Sequence, residues 1–342
     1  MSKHAWRWLF AGVFCCGAYT TGCDIILGIE PLTGDGESGG AGGGGSTQTT
    51  GTGGSTPATL VVESASAIYR VTVDSQYIWW VDNTNTIWRA EPTGANPKSI
   101  TTESSTVWGI ASNGNDVAWT TDTTVRRADV NGTIIKDVAT GQASPRGIAI
   151  DTFNIFWVNS GSGTADDGEV KQAIIGGAVF DPPLANFQAQ PKAIVESGTQ
   201  VFWTNRGEVS GAGFGSVQVA AKDVGGKNDV DLGLDFPNGI MMGKFLTWTV
   251  GGKSAGEGKI RAKIDDTKTA DLAIGLTEPI DLAKVPGTDF FYVLLYDGDI
   301  ASVPDAGGAA NFVAKTDKSS DIAANENGLY WTAAAGIYRL KP

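Results

Sequence analysis

The side chains best suited to chemistry are few and unevenly placed in this 342-residue chain. The one histidine is His4, and the three cysteines, Cys15, Cys16 and Cys23, all lie near the N-terminus. Beyond Cys23 there is no imidazole and no thiol, which excludes Ser-His-Asp and Cys-His nucleophiles and histidine-ligated zinc or iron from the rest of the chain. Gly251-Gly252-Lys253-Ser254 ends like a phosphate-binding loop. The earlier glycine of such a loop would fall at Thr247, and the stretch joins two strands rather than a strand and a helix. Carboxylates, amides and cations remain. Asp166-Asp167-Gly168-Glu169 lacks the residue order of a calcium loop and reads as a solvated turn. Asp281, Asp321, Glu278 and Asn238 lie where strands begin, so a divalent cation there would require them to converge.

The elements that must position these residues recur. A unit of roughly forty residues appears seven times between Tyr69 and Leu340. Each copy opens on a short run: Tyr69 to Asp74, Val107 to Ala111, Pro145 to Asp151, Pro191 to Val195, Pro237 to Met241, Pro279 to Ala283 and Ser320 to Ala324. After a polar turn comes an aromatic run, such as Val117-Ala118-Trp119-Thr120, Val201-Phe202-Trp203-Thr204 or Leu329-Tyr330-Trp331-Thr332. A third run closes on Gly-x-Ile/Val, as in Gly168-Glu169-Val170, Gly258-Lys259-Ile260 and Gly336-Ile337-Tyr338.

Runs of four to six residues rich in Val, Ile, Trp, Tyr and Thr, bounded by Gly, Asn, Asp and Pro, are strand signals. No helical period is sustained. Three strands and a weaker fourth, Ile134 to Val138 in the second copy and Asn311 to Ala314 in the sixth, make one blade. The expected fold is all-β, a seven-bladed β-propeller. The chain ends at Pro342 before a seventh fourth strand, so Leu60-Val61-Val62-Glu63 is expected to supply it and close the ring, leaving no open sheet edge.

In wording the repeats resemble YWTD-type and related bacterial β-propeller repeats, through Trp80-Val81-Asp82, Trp157-Val158-Asn159 and Trp203-Thr204-Asn205. The resemblance spans nearly everything after Ala58. YWTD domains usually have six blades, whereas seven units are counted here. Trp80, Trp119, Trp157, Trp203, Trp248 and Trp331 occupy one repeat position, which predicts packing between blades rather than sugar binding. Trp88 and Trp108 are out of register. Two enzyme resemblances are relevant. Lyases of the virginiamycin-inactivating kind share a seven-bladed fold but work through histidine. Propeller lactonases hold a divalent cation through Glu, Asn and Asp near the channel.

The N-terminus is a different object. Lys3 and Arg7 precede an apolar stretch from Trp8 to Tyr19 that is too short to span a bilayer and has the form of an export signal. Thr20-Thr21-Gly22-Cys23 looks like a bacterial lipobox, which implies cleavage after residue 22 and lipidation of Cys23. From Gly34 to Ala58 the chain is dominated by Gly, Ser and Thr and predicts a disordered tether, reaching about 30 Å by random-coil scaling. The formal charge is −12, and removal of Lys3 and Arg7 with the signal leaves −14. Counterion release cannot drive such a surface onto nucleic acid.

The organisation expected is therefore a signal peptide at 1–22, an anchored linker at 23–58 and a propeller at 59–342. The chain is expected to be exported and lipid-anchored in a bacterial cell envelope, a monomer with no cofactor, acting as a non-enzymatic recognition or scaffold module. Its partner would be an envelope or extracellular protein or glycan, and its membrane contact the lipid. The alternative is a metal-dependent hydrolase of the lactonase type. In a propeller, loops entering the innermost strand and loops joining the second to the third share one face. The binding candidates are therefore Arg70, Trp108, Arg146, Lys192 and Asn238 at inner-strand entrances, with Asn159, Asn205 and Arg206 from the connecting loops.

Overall fold

A computed structural model describes residues 57–163, 166–207, 214–252, 254–316 and 319–342. The expected signal peptide, Cys23 and the tether up to residue 56 lie outside them. The chain divides into two compact units, and the second, Thr47–Pro342, carries the described structure.

Among the described residues, all regular structure is strand, arranged as seven four-stranded antiparallel sheets. Blade 1 runs from the axis outward as Ile68–Val73, Ile78–Asp82, Thr86–Ala90 and Lys98–Thr102. Blade 2 is Gly109–Ser112, Asp116–Thr120, Val125–Asp129 and Ile135–Ala139, and blade 3 is Pro145–Ile150, Asn154–Asn159, Gly168–Ile174 and Ala185–Gln188. Blade 4 is Pro191–Ser197, Gln200–Asn205, Gly215–Ala221 and Gly225–Leu234, and blade 5 is Pro237–Met242, Leu246–Val250, Gly258–Lys263 and Thr269–Leu276. Blade 6 is Pro279–Ala283, Phe290–Leu295, Ile300–Pro304 and Asn311–Ala314. Blade 7 combines Ile322–Asn325, Gly328–Ala333 and Gly336–Leu340 with the N-terminal Thr59–Glu63 as its outer strand. The inner strands neighbour one another in chain order, and that of blade 1 packs on that of blade 7. The ring closes as its repeats require, with seven blades.

The core lies between blades rather than within them. One apolar cluster joins Ala118, Val125 and Ala139 of blade 2 to Ile148, Ile155 and Trp157 of blade 3. Another joins Phe156 and Val170 of blade 3 to Ile194 and Trp203 of blade 4. The repeated tryptophans are the largest pieces of this interface, and Trp119, Trp157, Trp203 and Trp248 are wholly buried. A buried indole N–H needs an acceptor. It finds one on the preceding blade or the segment after it: Trp119 donates to Glu103, Trp157 to Gln142 and Trp203 to Gln188, at 3.0, 3.2 and 2.9 Å. Gly233 is fifteen residues before Trp248, the spacing of the Trp157 and Trp203 acceptors, and the Trp248 N–H has no partner among the described residues.

The polar turns after the inner strands are built by one side chain each. The carboxylate of Asp74 accepts from the backbone N–H of Gln76 and Tyr77, and Asn113 and Asp151 do the same for the residues that follow them. This local bonding is why Asp and Asn mark the turn in the sequence.

At the seam, Val62 and Glu63 pair with Ile337 and Gly336. Gly336 has φ of +142°, and a Cβ there would stand 1.8 Å from the Val62 carbonyl oxygen. Gly336→Ala is expected to destabilise the propeller by about 2 kcal/mol or more, seen as a lower urea midpoint of the Thr47–Pro342 unit. An unchanged midpoint would show that blade 7 tolerates loss of this contact.

Candidate functional site

The site is built where the inner strands enter, around the propeller axis. Ladder pairing aligns the seven entrances through the residue facing the aromatic run: Val71 with Trp80, Ile110 with Trp119, Ile148 with Trp157, Ile194 with Trp203, Ile240 with Trp248, Leu282 with Val293 and Ile322 with Trp331. The residue just before that partner is Arg70, Gly109, Gly147, Ala193, Gly239, Asp281 and Asp321 in blades 1 to 7. One further back are Trp108, Arg146, Lys192 and Asn238 in blades 2 to 5. Blades 2 to 5 thus place a tiny residue where blades 1, 6 and 7 place a charge.

The small residues are demanded by space. A Cβ on Gly109 would lie 2.6 Å from the Arg146 carbonyl oxygen, one on Gly147 2.5 Å from that of Lys192, and one on Gly239 2.7 Å from Cα of Asp281. Each inner strand therefore lies directly against the next. Hydroxyls then fasten strand to strand. Thr120 donates to the Arg146 carbonyl at 2.6 Å and Thr204 to the Asn238 carbonyl at 2.8 Å, each reaching from one blade to the next. These are the threonines of the Trp-Thr pairs in the repeat. Where valine replaces them, other groups reach across: Arg70 Nε donates to the Trp108 carbonyl at 2.8 Å, and Ser160 to the Pro191 carbonyl at 2.7 Å. The residues that carry the repeat pattern also set the backbone under the charged groups.

A second device holds the rim. Ser144, Gln190, Phe236 and Glu278, the residues before the prolines that open blades 3 to 6, all have positive φ, between 40° and 56°. This costs on the order of 1 kcal/mol for a residue with a side chain. It turns their carbonyls toward the loop joining the second and third strands, where they accept from the N–H of Ser160, Arg206, Gly251 and Tyr296. Arg206 is fixed at the rim in this way, and its guanidinium lies over the Phe236 ring at 5.6 Å.

Arg70, Arg146, Lys192 and Arg206 converge here, as the sequence places them, and all four feel one another's charge or that of Asp281 and Asp321. Trp108 forms a platform: its N–H donates to Asp122 at 2.7 Å and the Arg146 guanidinium stacks on its ring at 3.9 Å. Asn238 is buried, and its amide donates to the Phe236 carbonyl. Asn159 and Asn205 sit elsewhere than the accessible rim. They are 1% and 3% exposed, and their amide groups donate to Gln142 and Gln188, the acceptors that also serve Trp157 and Trp203. They brace blades 3 and 4 because the start of the connecting loop is folded down onto the neighbouring corner. Trp88 is also structural, stacked on Trp80 at 6.1 Å with its N–H on Asp82.

Asp281 and Asp321 join the cations, which reading them only as metal ligands misses. Aligning the entrances would have exposed them, since they stand in the same column as Arg70. The two carboxyls lie within hydrogen-bonding reach of each other. Burial first, and then the charge of Asp321, hold the Asp281 carboxyl well above its ordinary range, and burial raises Asp321 as well. Asp321 also accepts from the Val71 N–H of blade 1 at 2.9 Å. Among the described residues no three His, Cys, Asp or Glu side chains gather as a metal site, and Glu278 stays apart from this pair. Lys192 is exposed to solvent by its surface yet densely surrounded by protein, as suits a channel mouth, and the crowding governs its charge. Burial, with the charges of Arg206 and Arg70, lowers its amine from 10.5 to about 8.

No protein-family model matches the chain, and no curated protein matches it by sequence. By structure it is similar to virginiamycin B lyase from Staphylococcus aureus, with a TM-score of 0.66 at 14% identity over 84% of this chain and 98% of that one. It is also similar to Kuenenia stuttgartiensis hydrazine synthase, with a TM-score of 0.65 at 12% identity over 87% and 99%. A third likeness is the computationally designed protein Ika8, with a TM-score of 0.57 at 13% identity over 82% and 98%. Identities this low speak to the fold, and the chain is a seven-bladed β-propeller.

Two outcomes are expected. Lys192 should acylate with half-maximal rate near pH 8 in peptide-mapped amine labelling, whereas an ordinary lysine follows a pKa of about 10.4. In the folded state Asp281 holds a proton that the unfolded chain releases above its ordinary value of 3.8, so this group withdraws stability as pH rises through that window. Asp281→Asn keeps the neutral form, and its unfolding free energy at pH 7 should equal or exceed that of the parent in urea titrations. A clear loss would show that Asp281 is ionised and supported by its neighbours.

Proposed function

We propose that this chain is a cell-envelope lipoprotein, tethered through Cys23, whose propeller is a non-enzymatic recognition module, and that its recognition site is the charged ring at the inner-strand entrances. The ligand or partner would present a carboxylate or phosphate there. One observation carries this reading: Arg70, Arg146, Lys192 and Arg206 meet at one mouth, and none of them forms an ion pair with a described carboxylate. In a chain of formal charge −12, about half of the other described cations form ion pairs. On the third strands Arg127 pairs with Asp116 at 2.5 Å, Arg261 with Asp231 at 2.7 Å and Lys171 with Glu169 at 3.4 Å, whereas Arg89 and Arg339 form none among the described residues. Four cations left unpaired beside one another cost repulsion, and an anion recovers it. The export signal, the lipobox-like Thr20-Thr21-Gly22-Cys23 and the Gly/Ser-rich stretch support the envelope assignment.

The metal-dependent hydrolase of the lactonase type keeps one observation in its favour, the Asp281 and Asp321 pair with Asn238 one blade away. In the related lactonases a cation is held by Glu, Asn and Asp. Here Glu278 stays apart from the aspartate pair, and Asn238 donates its amide N–H to the Phe236 carbonyl, a bond that does not use its Oδ1.

Both readings are tested on the Thr47–Pro342 unit by its thermal midpoint. Inorganic phosphate and succinate should raise the midpoint of the parent and leave that of an Arg146→Ala, Lys192→Ala, Arg206→Ala triple variant unmoved. The effect should weaken as pH rises through about 8, where Lys192 loses its charge, and this step should vanish in Lys192→Met. No response to either anion removes the recognition reading. A midpoint lowered by EDTA and restored by one of calcium, magnesium or zinc puts the hydrolase first.

A further inference from the structure

The mouth holds charges of both signs, and they do not pair. Elsewhere in the propeller opposite charges collapse onto each other: Arg126 on Glu103 at 2.6 Å, Lys222 on Asp151 at 2.8 Å, Lys284 on Asp305 at 2.6 Å. At the axis, Lys192 feels Asp281, and Asp281 and Asp321 both feel Arg70, yet no ion pair forms between the two sets. Backbone explains the separation. Lys192 and Arg206 belong to blade 4 and Arg146 to blade 3, whereas the acids belong to blades 6 and 7. Blade 5 stands between with Gly239, which cannot carry a larger side chain because the Asp281 backbone occupies that space. Arg70, the cation beside the acids in the ring, is held elsewhere by its bonds to the carbonyls of Trp108 and Tyr69. Asp281 accepts from the Leu282 N–H of its own blade, and Asp321 from the Val71 N–H of blade 1.

We infer that the site takes a small zwitterion, a free amino acid or other molecule with a carboxylate at one end and a primary ammonium at the other. The carboxylate meets Arg146, Lys192 and Arg206, and the ammonium meets Asp281 and Asp321. This rests on the recognition reading above and specifies its ligand. Charges of opposite sign held on separate blades without an ion pair are already organised for a dipolar ligand, because the protein has borne the cost of holding them apart before binding. Cations outnumber acids at the mouth, so the carboxylate end supplies most of the attraction. The ammonium supplies selectivity by pairing with acids that form no ion pair with a cation of the protein.

The test is isothermal titration of the Thr47–Pro342 unit, which contains the whole closed ring, with glycine, β-alanine, γ-aminobutyrate and ε-aminocaproate. Alongside run the carboxylate and the amine of matching length, propionate to hexanoate and propylamine to hexylamine. At least one amino acid is expected to bind about tenfold more tightly than either half, a difference of about 1.4 kcal/mol, with an optimum at one chain length. Asp321→Asn and Asp321→Ser should each reduce that amino acid to the level of its carboxylate half while leaving the carboxylate itself unchanged, whereas Asp281→Asn, which keeps a neutral partner, should not. Two Asp321 variants are used so that a folding defect in one, checked by its melting curve, does not decide the matter. Equal binding of carboxylate and amino acid, or no effect of either Asp321 variant, overturns the zwitterion and leaves an anion site. Binding by none of the probes overturns both the zwitterion and the recognition reading.

Discussion

The close approach of neighbouring inner strands around the axis is the constraint from which most of this molecule follows. Seven strands meeting around one axis leave little room for side chains, and Gly109, Gly147 and Gly239 are the positions where even a methyl group would strike the next strand's backbone. Once the strands are that close, the Thr120 and Thr204 hydroxyls can reach the next strand's carbonyl, and the indoles of Trp119, Trp157 and Trp203 can reach an acceptor on the segment before. These bonds are directional. They convert a ring that hydrophobic burial alone would leave loosely phased into one with a fixed angle between blades.

The same constraint selects which residues form the site. In blades 2 to 5 the tight position is taken by Gly or Ala, so chemistry moves one residue back, to Trp108, Arg146, Lys192 and Asn238. In blades 1, 6 and 7 the charge stands in the tight column itself, as Arg70, Asp281 and Asp321. Their surroundings therefore raise the Asp281 and Asp321 carboxyls and lower the Lys192 amine to about 8. Perturbed titration of several groups at one mouth is the physical mark of a site, although structural networks can carry it too. Here the cations have no carboxylate partners, which is not the habit of a structural network.

The blade count, the closing role of Leu60 to Glu63 and the packing role of the tryptophans were legible because each is a demand repeated in every unit. A repeated aromatic at one position has to sit between repeated neighbours. Four of the cations were legible as well, because the repeat frame assigns Arg70, Arg146, Lys192 and Arg206 to one face. Asn159 and Asn205 fall on that face by position, but the sequence does not show that the loop beginning there folds back onto the corner before the proline that opens the same blade, burying both. The positive φ at Ser144, Gln190, Phe236 and Glu278 was also out of reach, because a residue before proline otherwise favours extended backbone. Trp108 lay between packing and contact in the sequence, and in the structure it supports Arg146.

What the sequence by itself determined is a closed ring of seven strand-built blades, through a period near forty and a missing last strand supplied from the front of the chain. It also determined that beyond Cys23 nothing can depend on histidine or thiol chemistry. Only the tertiary structure decided that Asp281 and Asp321 share a mouth with Arg70 and Lys192 and yet stay unpaired. Those residues lie far apart in the chain and meet because the ring brings the last blades beside the first. Whether opposite charges then touch or face each other across a gap depends on strand spacing around the axis, a geometric quantity that no local pattern encodes.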